Sequence, residues 1–217
     1  MEKGRFAPSP SGRMHLGNLM CSLLAWLSAR ASGGQVVLRI EDLDAARCPR
    51  TYADLLEQDL TWLGLVWDEG GSAGGPDGPY YQSERFEIYK QYYDKLNALG
   101  LVYPCFCSRS QLHAASAPHR ADGQVVYPGT CRGLSPEEVT RRALKKAPAW
   151  RVQVPDRVIG FTDGHLGHYE ENLAADCGDF YLRRGDGVYA YQLAVVVDDA
   201  RMGVTEVVRG ADLLSST

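Results

Sequence analysis

No run in this chain reaches the roughly twenty apolar residues that a helix needs to cross a bilayer, which argues against a helical membrane protein. The opening Met1-Glu2-Lys3-Gly4-Arg5 lacks the apolar stretch of a secretory leader. Positive charge is also short. The 23 Lys and Arg against 27 Asp and Glu leave a net charge of -4, so any RNA must be held by a local patch rather than by a basic field. Six unevenly spaced cysteines do not form the framework of a secreted disulfide scaffold. A reducing cytoplasm is the expected location. No internal repeat or low-complexity tract breaks the pattern.

What remains is an ordinary globular composition, 45% hydrophobic and 23% charged. Its 217 residues suffice for one large domain or for a nucleotide-binding fold with an insertion. Gly4-Arg5-Phe6-Ala7 predicts a strand broken by Pro8-Ser9-Pro10-Ser11-Gly12. Leu16, Leu19, Met20, Leu23, Leu24, Trp26 and Leu27 then recur at helical spacing until Gly33-Gly34. Val36-Val37-Leu38-Arg39-Ile40 predicts a strand covered on both faces. Strand, loop, helix, strand is a βαβ unit and implies a parallel sheet.

Further helices are expected from about Tyr52 to Gly64 and from about Phe86 to Gly100. From Tyr103 to about Gly178 the texture changes to scattered Cys, His, Pro and Gly, with one clear helix. It begins Ser135-Pro136-Glu137-Glu138, an N-cap serine with proline at the first position and glutamate three on. The segments 189–199 and 204–210 look like a return to the α/β core. These shifts divide the chain into a first catalytic half at 1–102, an insertion at 103–178 and a second half at 179–217.

Two constellations carry chemistry. A loop leaving the carboxyl end of a strand and opening a helix is where α/β folds bind phosphates. Here it is Arg5 to Asn18, with Gly17 permitting close backbone approach and His15 and Asn18 offering donors at the helix N-terminus. By itself His15-Leu16-Gly17-Asn18 fits a plain helix cap as well. The second is Cys105-Phe106-Cys107 with Tyr127-Pro128-Gly129-Thr130-Cys131. Cysteines at i and i+2 of a regular strand point to opposite faces, so a shared metal requires a bend at Phe106, next to Pro104. Three thiolates and one further donor make a closed tetrahedral zinc site. The fourth donor is Tyr127, His113 or His119, and spacing alone favours His119. Cys21, Cys48 and Cys177 have no such grouping and read as plain thiols.

The whole pattern resembles the glutamyl-tRNA synthetases and their short paralogues, the glutamyl-Q tRNA(Asp) synthetases. The matches are His15-Leu16-Gly17-Asn18 (the HIGH motif), Arg39-Ile40-Glu41-Asp42-Leu43-Asp44, Asp186-Gly187, Tyr191, Val195 to Asp199, and Met202 to Gly210. The resemblance implies a Rossmann-like parallel-sheet catalytic domain with a zinc-bearing α+β insertion. It implies activation of L-glutamate by ATP with Mg2+, His15, Gly17 and Asn18 holding phosphates. Arg5, Ala7, Ser9, Glu41, Tyr191 and Arg209 would hold glutamate, with Glu41 taking the α-ammonium.

The paralogues' Cys-x-Cys, Tyr-x-x-x-Cys pattern fits Cys105, Cys107, Tyr127 and Cys131, and selects Tyr127 as the fourth donor to a structural zinc. Gln192, Val195 and Cys131-Arg132-Gly133 also look like the paralogue, whose acceptor is the queuosine base at the wobble position of tRNA(Asp). A monomer is expected. Both families continue to a KMSKS-like loop that is absent before Thr217, so the 217-residue chain is expected to be poor at forming the adenylate. Two other readings remain: an N-terminal fragment of an enzyme charging tRNA(Glu), and a non-catalytic zinc-containing tRNA-binding module. Arg141, Arg142, Lys145 and Lys146 are either an RNA surface or a solvated helix face.

Overall fold

A computed structural model describes residues 2–108 and 126–216. In chain order its main elements are β1 (Lys3–Phe6), α1 (Leu16–Ala31), β2 (Gln35–Leu38), α2 (Arg50–Trp62), β3 (Glu69–Gly70) and α3 (Phe86–Ala98). There follow β4 (Val102–Cys105), α4 (Pro136–Ala143), β5 (Ala149–Val152), β6 (Val158–Asp163), β7 (Gly167–Asn172), β8 (Tyr181–Arg183) and α5 (Tyr191–Arg201). The chain parts into two compact units, Met1–Lys90 with Ala194–Thr217, and Gln91–Leu193.

The first unit holds the expected parallel sheet, ordered β1-β2-β3. Lys3 pairs with Gln35 and Phe6 with Leu38 in register. The alternation of β2 explains its run of apolar residues. Val36, Leu38 and Ile40 enter one core with Phe6, Ala25, Ala29, Ala53, Leu56 and Leu60. Val37 points the other way, into a cluster with Tyr80 and Met202. Both faces are buried, as a parallel sheet requires.

The side of α1 that meets the sheet is not the one its leucines mark. Ser22, Ala25 and Ala29 are buried, whereas Leu16, Met20, Leu24 and Leu27 are exposed. Small residues let the helix lie close to β1. A Cβ at Gly4 would come within 3.2 Å of Ala29 Cβ.

The second unit is built differently. β4, β5 and β8 form an antiparallel sheet ordered β4-β5-β8, and β6 and β7 form a separate hairpin. β8 hydrogen-bonds to β5, and that pairing draws the residues beyond 178 into this unit. The sequence boundaries at 103 and 178 thus fall inside it. The start of α4 is as expected, the Ser135 hydroxyl accepting from Glu138 N–H.

Candidate functional site

The carboxyl ends of β1 and β2 carry charge on one face. Lys3 and Arg5 alternate with Gly4 and Phe6, and Arg39 and Glu41 continue the side of Val37 beyond β2. Backbone bonds from Arg39 N to Phe6 O (2.8 Å) and Glu41 N to Pro8 O (3.0 Å) zip the two segments together. This register lays Ala7 opposite Arg39 and the exposed Ser9 opposite Glu41. Arg5, Arg39 and Glu41 are all buried.

The ionic partners come from α5. Arg5 Nε donates to Asp199 Oδ1 at 3.2 Å, and Arg39 Nη1 donates to the same oxygen at 2.5 Å. Arg39 Nη2 donates to Glu41 Oε1 at 3.0 Å. Asp198, fully buried, accepts from Arg85 Nε at 2.7 Å, Gln82 Nε2 at 2.9 Å and Tyr89 Oη at 2.9 Å. Burial pulls the Arg39 guanidinium down, but Glu41, Asp199 and Asp198 together hold it above its ordinary value. Burial raises the Glu41 carboxyl, against the pull of Arg39 and Arg5.

Glu41 stands well before α2, which begins only at Arg50. Arg209 is half-buried in the same unit, next to Val208, which packs on the main core. Tyr191 opens α5 and belongs to the second unit. Sequence reasoning quoted Arg39, Asp198 and Asp199 without giving them a task, and passed over Gln82 and Arg85. The available signal was Arg39, a charge within the apolar run from Val36 to Ile40.

At the start of α1, His15 is the N-cap, its Nδ1 accepting from Gly17 N–H at 3.1 Å. A Cβ at Gly17 would meet the His15 ring at 3.1 Å, so glycine is what lets the imidazole fold over the helix end. His15 and Gly17 are exposed and Asn18 half-buried. The helix has no acidic residue in its first turn, leaving its positive dipole end open to an anion. The cap and the phosphate-binding roles are compatible, because only one imidazole nitrogen is used.

In the second unit, β4 ends at Cys105, which supplies the bend that a shared metal requires. The sulfurs of Cys105, Cys107 and Cys131 lie within 4.8 Å of one another, the one such cluster of metal-ligand side chains among the described residues. Cys107 Sγ and Cys131 Sγ are 3.6 Å apart, and Tyr127 Oη lies 3.5 Å from Cys105 Sγ and 3.9 Å from Cys107 Sγ. Tetrahedral zinc with Zn–S bonds of about 2.3 Å and a Zn–O bond of about 2.0 Å spaces its sulfurs about 3.8 Å apart and its S and O about 3.5 Å apart. Those three separations agree with the edges of that polyhedron.

The surroundings suit anionic ligands. Phe106 N–H points at Cys131 Sγ (3.5 Å) and Cys131 N–H at Tyr127 Oη (2.8 Å). The buried Arg151 guanidinium lies between the Tyr127 ring at 3.7 Å and the Tyr181 ring at 3.8 Å. Burial and the neighbouring Cys105 push the Cys107 thiol up to about 12. Cys105 is lowered: burial opposes this, but Tyr127, the Cys107 backbone and Arg151 outweigh it. Arg132 of the Cys131-Arg132-Gly133 stretch pairs with buried Asp179 through Nη2 at 2.6 Å, and Asp179 Oδ1 also accepts from Val154 N at 2.9 Å. His113 and His119 lie outside the described residues. None of the six cysteines forms a disulfide.

Three of the four basic residues on and after α4 are engaged locally. Arg141 and Arg142 pair with Glu138, and Lys146 Nζ donates to the carbonyls of Phe106 (3.0 Å) and Cys107 (3.1 Å). This favours the solvated-face reading of Arg141 and Arg142 and gives Lys146 a structural task beside the cysteines. No helix among the described residues is long and apolar enough to cross a membrane.

Comparison with known proteins bears on the same features. The family profile described as tRNA synthetases class I (E and Q), catalytic domain, matches residues 3–217. The chain is 54% identical to a glutamyl-Q tRNA(Asp) synthetase of Nitratidesulfovibrio vulgaris, over its whole length and 68% of that protein. It is 56% identical to the protein of the same name from Symbiobacterium thermophilum, over 99% of this chain and 67% of the other. Among solved structures, a glutamate tRNA ligase from Elizabethkingia meningosepticum, crystallised with its amino acid, superposes with a TM-score of 0.84. That match has 34% identity and covers 99% of this chain and 45% of the other. The chain thus spans about two thirds of the two named relatives and under half of the solved ligase. With a parallel sheet, a capped HIGH-motif helix and buried charges where the sheet ends, the chain belongs to the class I tRNA synthetases of the glutamate and glutamine type, ATP-dependent ligases, on the branch of the glutamyl-Q tRNA(Asp) synthetases.

Proposed function

We propose that the chain activates L-glutamate with ATP, without needing tRNA, and passes glutamate to the queuosine base at the wobble position of tRNA(Asp). The observation that carries the first half is the pair Arg5 and Glu41. Opposite charges held buried and within electrostatic reach of each other, where two adjacent parallel strands end, suit a zwitterionic substrate at the usual ligand position of such sheets. Arg5 and Arg209 would take carboxylates, for which a planar fork is suited. Glu41 would take the ammonium, and Ala7, Ser9 and Tyr191 complete the set. His15, Gly17 and Asn18 would hold the phosphates of ATP, which enters with Mg2+.

The α-carboxylate oxygen attacks the α-phosphorus, the bond to the β-phosphate bridge breaks, and pyrophosphate leaves. The acyl group then passes to the tRNA and AMP leaves. Because charge builds on the phosphates in the first step, fixed donors at a helix N-terminus are the main device. The queuosine acceptor is supported by the names and high identity of the relatives. Zinc held by Cys105, Cys107, Tyr127 and Cys131 would supply folding energy to the second unit and no chemistry. The enzyme would work as a cytoplasmic monomer.

The test is glutamate binding against pH. Burial lifts the Glu41 carboxyl above its ordinary value of 4.5, with Arg39 and Arg5 pulling down and Asp199 pushing up. In the window above 4.5 the folded chain keeps a proton that the unfolded chain has released, so this group's contribution to stability falls as pH rises there. Binding of an ammonium runs the other way. Above pH ~5, where the substrate's own side chain is ionised, affinity for L-glutamate is expected to strengthen as Glu41 loses its proton and then to level off. Glu41→Gln should bind weakly and without that rise. A wild-type affinity that is flat with pH, or a Glu41→Gln protein that binds normally, would remove Glu41 from the site.

A further inference from the structure

The groups proposed to receive glutamate are held by a residue that would not itself touch it. Arg39 is 0% exposed. Its guanidinium reaches Glu41 Oε1 through Nη2 at 3.0 Å and Asp199 Oδ1 through Nη1 at 2.5 Å. The same Asp199 oxygen accepts from Arg5 Nε at 3.2 Å. One planar cation therefore fixes Glu41 directly and Arg5 through a shared carboxylate. Its Nε lies 3.7 Å from Asp198 Oδ2 and makes no hydrogen bond.

We infer that Arg39 is a positioning residue for amino-acid binding, setting the spacing between the ammonium-receiving Glu41 and the carboxylate-receiving Arg5. The inference rests on the assignment of those two residues to glutamate. Folding alone gives little reason for a guanidinium here. Val37, two residues earlier on the same side of the strand, packs on Tyr80 and Met202 as an apolar residue. A buried ion cluster of this kind is often no more stable than apolar residues of similar volume, and this one leaves a buried N–H without a partner.

Charge balance points the same way. Arg5, Arg39 and Arg85 stand against Glu41, Asp198 and Asp199, three on three. Without Arg39, Glu41 would lose the guanidinium that hydrogen-bonds to it, leaving Arg5 alone to offset Asp199. A lysine could restore the charge but not the fork, since an ammonium is a single point and cannot span both carboxylates in one plane.

The experiment is calorimetric titration of the full chain with L-glutamate and, separately, with ATP and Mg2+. Arg39→Lys is expected to weaken glutamate by ~10-fold or more, while ATP affinity stays within ~2-fold. Combined with Glu41→Gln, its effect should be far from additive, as for residues sharing one network. Should Arg39→Lys not fold, Asp199→Asn separates Arg39 from Arg5 while sparing the Glu41 bond, and the same selective loss is expected.

Unchanged glutamate affinity in Arg39→Lys, or in Asp199→Asn if that stands in for it, overturns the inference. So does a parallel loss of glutamate and ATP, which would mark a merely structural residue. Arg5→Lys and Glu41→Gln separate this from failure of the site itself. If they weaken glutamate and Arg39→Lys does not, only the positioning role falls. If neither moves it, the glutamate site falls and the positioning role with it.

Discussion

Replacing Asp198 by alanine is expected to cost about 3–5 kcal/mol, the range for removing one partner of a buried ion pair. Asp198 is 0% exposed and accepts three hydrogen bonds, from Arg85, Gln82 and Tyr89. Arg85 is itself buried, and its Nη2 already lacks a partner. Taking away the carboxylate leaves a buried guanidinium without its ion-pair partner. The burial of Tyr89, which raises its hydroxyl well above the ordinary range, means that this group too would lose its acceptor inside the fold. Urea denaturation should show a lower midpoint with little change of slope. Asp186→Ala is the contrast. Its pair with Arg184 is half exposed on both sides, and such pairs contribute no more than about 1 kcal/mol. Equal effects of the two substitutions would mean that Asp198 is not the anchor that its hydrogen bonds describe.

Chelating the proposed zinc, or replacing Cys131 by serine, is expected to unfold the second unit at a much lower temperature. That unit has short strands, and α4 has no buried residue. Around the cysteines the core is small: Cys105, Tyr127 and Cys131, with Tyr103, Cys107 and Leu134 packed against them. Structural zinc sites contribute roughly 10–16 kcal/mol of apparent binding energy in small finger peptides. Even ~3 kcal/mol would move the midpoint of a unit of about a hundred residues by roughly 10–25 °C. Binding also requires the thiols to lose protons, so zinc should be released progressively as pH falls, Cys107 being the thiol held highest at about 12. Tyr127→Phe removes the fourth donor without opening a cavity and should speed zinc release to a colorimetric chelator by at least ~10-fold. A chelator-treated chain that melts like the untreated one would rule out a structural metal, and an indifferent Tyr127→Phe would return the fourth position to a histidine.

Much of the first unit was legible because its signals are local. The Gly33-Gly34 stop, the apolar run at Val36 and the proline turn at Pro8 suffice to mark a βαβ unit, and the parallel register of β1 and β2 follows. The Ser135 cap was equally plain. The direction of α1 was not. Its leucines carry the helical period, yet Ala25 and Ala29 face the sheet, because closeness to Gly4 is decided by β1 and not by the helix. The β6–β7 hairpin was missed since its alternation is weak, with Val158 and Ile159 both exposed. Its turn did leave a mark in Asp163, whose Oδ1 accepts from His165 N–H and Leu166 N–H at 2.8 and 2.7 Å.

The site divides in the same way. Arg5 and Glu41 could be named because they fall where the resemblance to the synthetases puts glutamate-binding residues, and the cysteines because their type and grouping suit a metal. Arg39, Asp198 and Asp199 could not be given tasks, since a buried ion network pairs residues as far apart as 39 and 199, and nothing in either neighbourhood announces the other. Separation in sequence also hid the tie between Arg132 and Asp179.

The central claim is the acceptor, and transfer of labelled glutamate tests it most directly. The chain would be joined to the remaining third of the Nitratidesulfovibrio vulgaris relative, so that the full length of the family is present. It would then be incubated with radiolabelled glutamate, ATP, Mg2+ and either queuosine-containing tRNA(Asp) or tRNA(Glu). Label on tRNA(Asp) alone, absent when the tRNA lacks queuosine, is the predicted result. Label on tRNA(Glu), or on neither RNA, would contradict it.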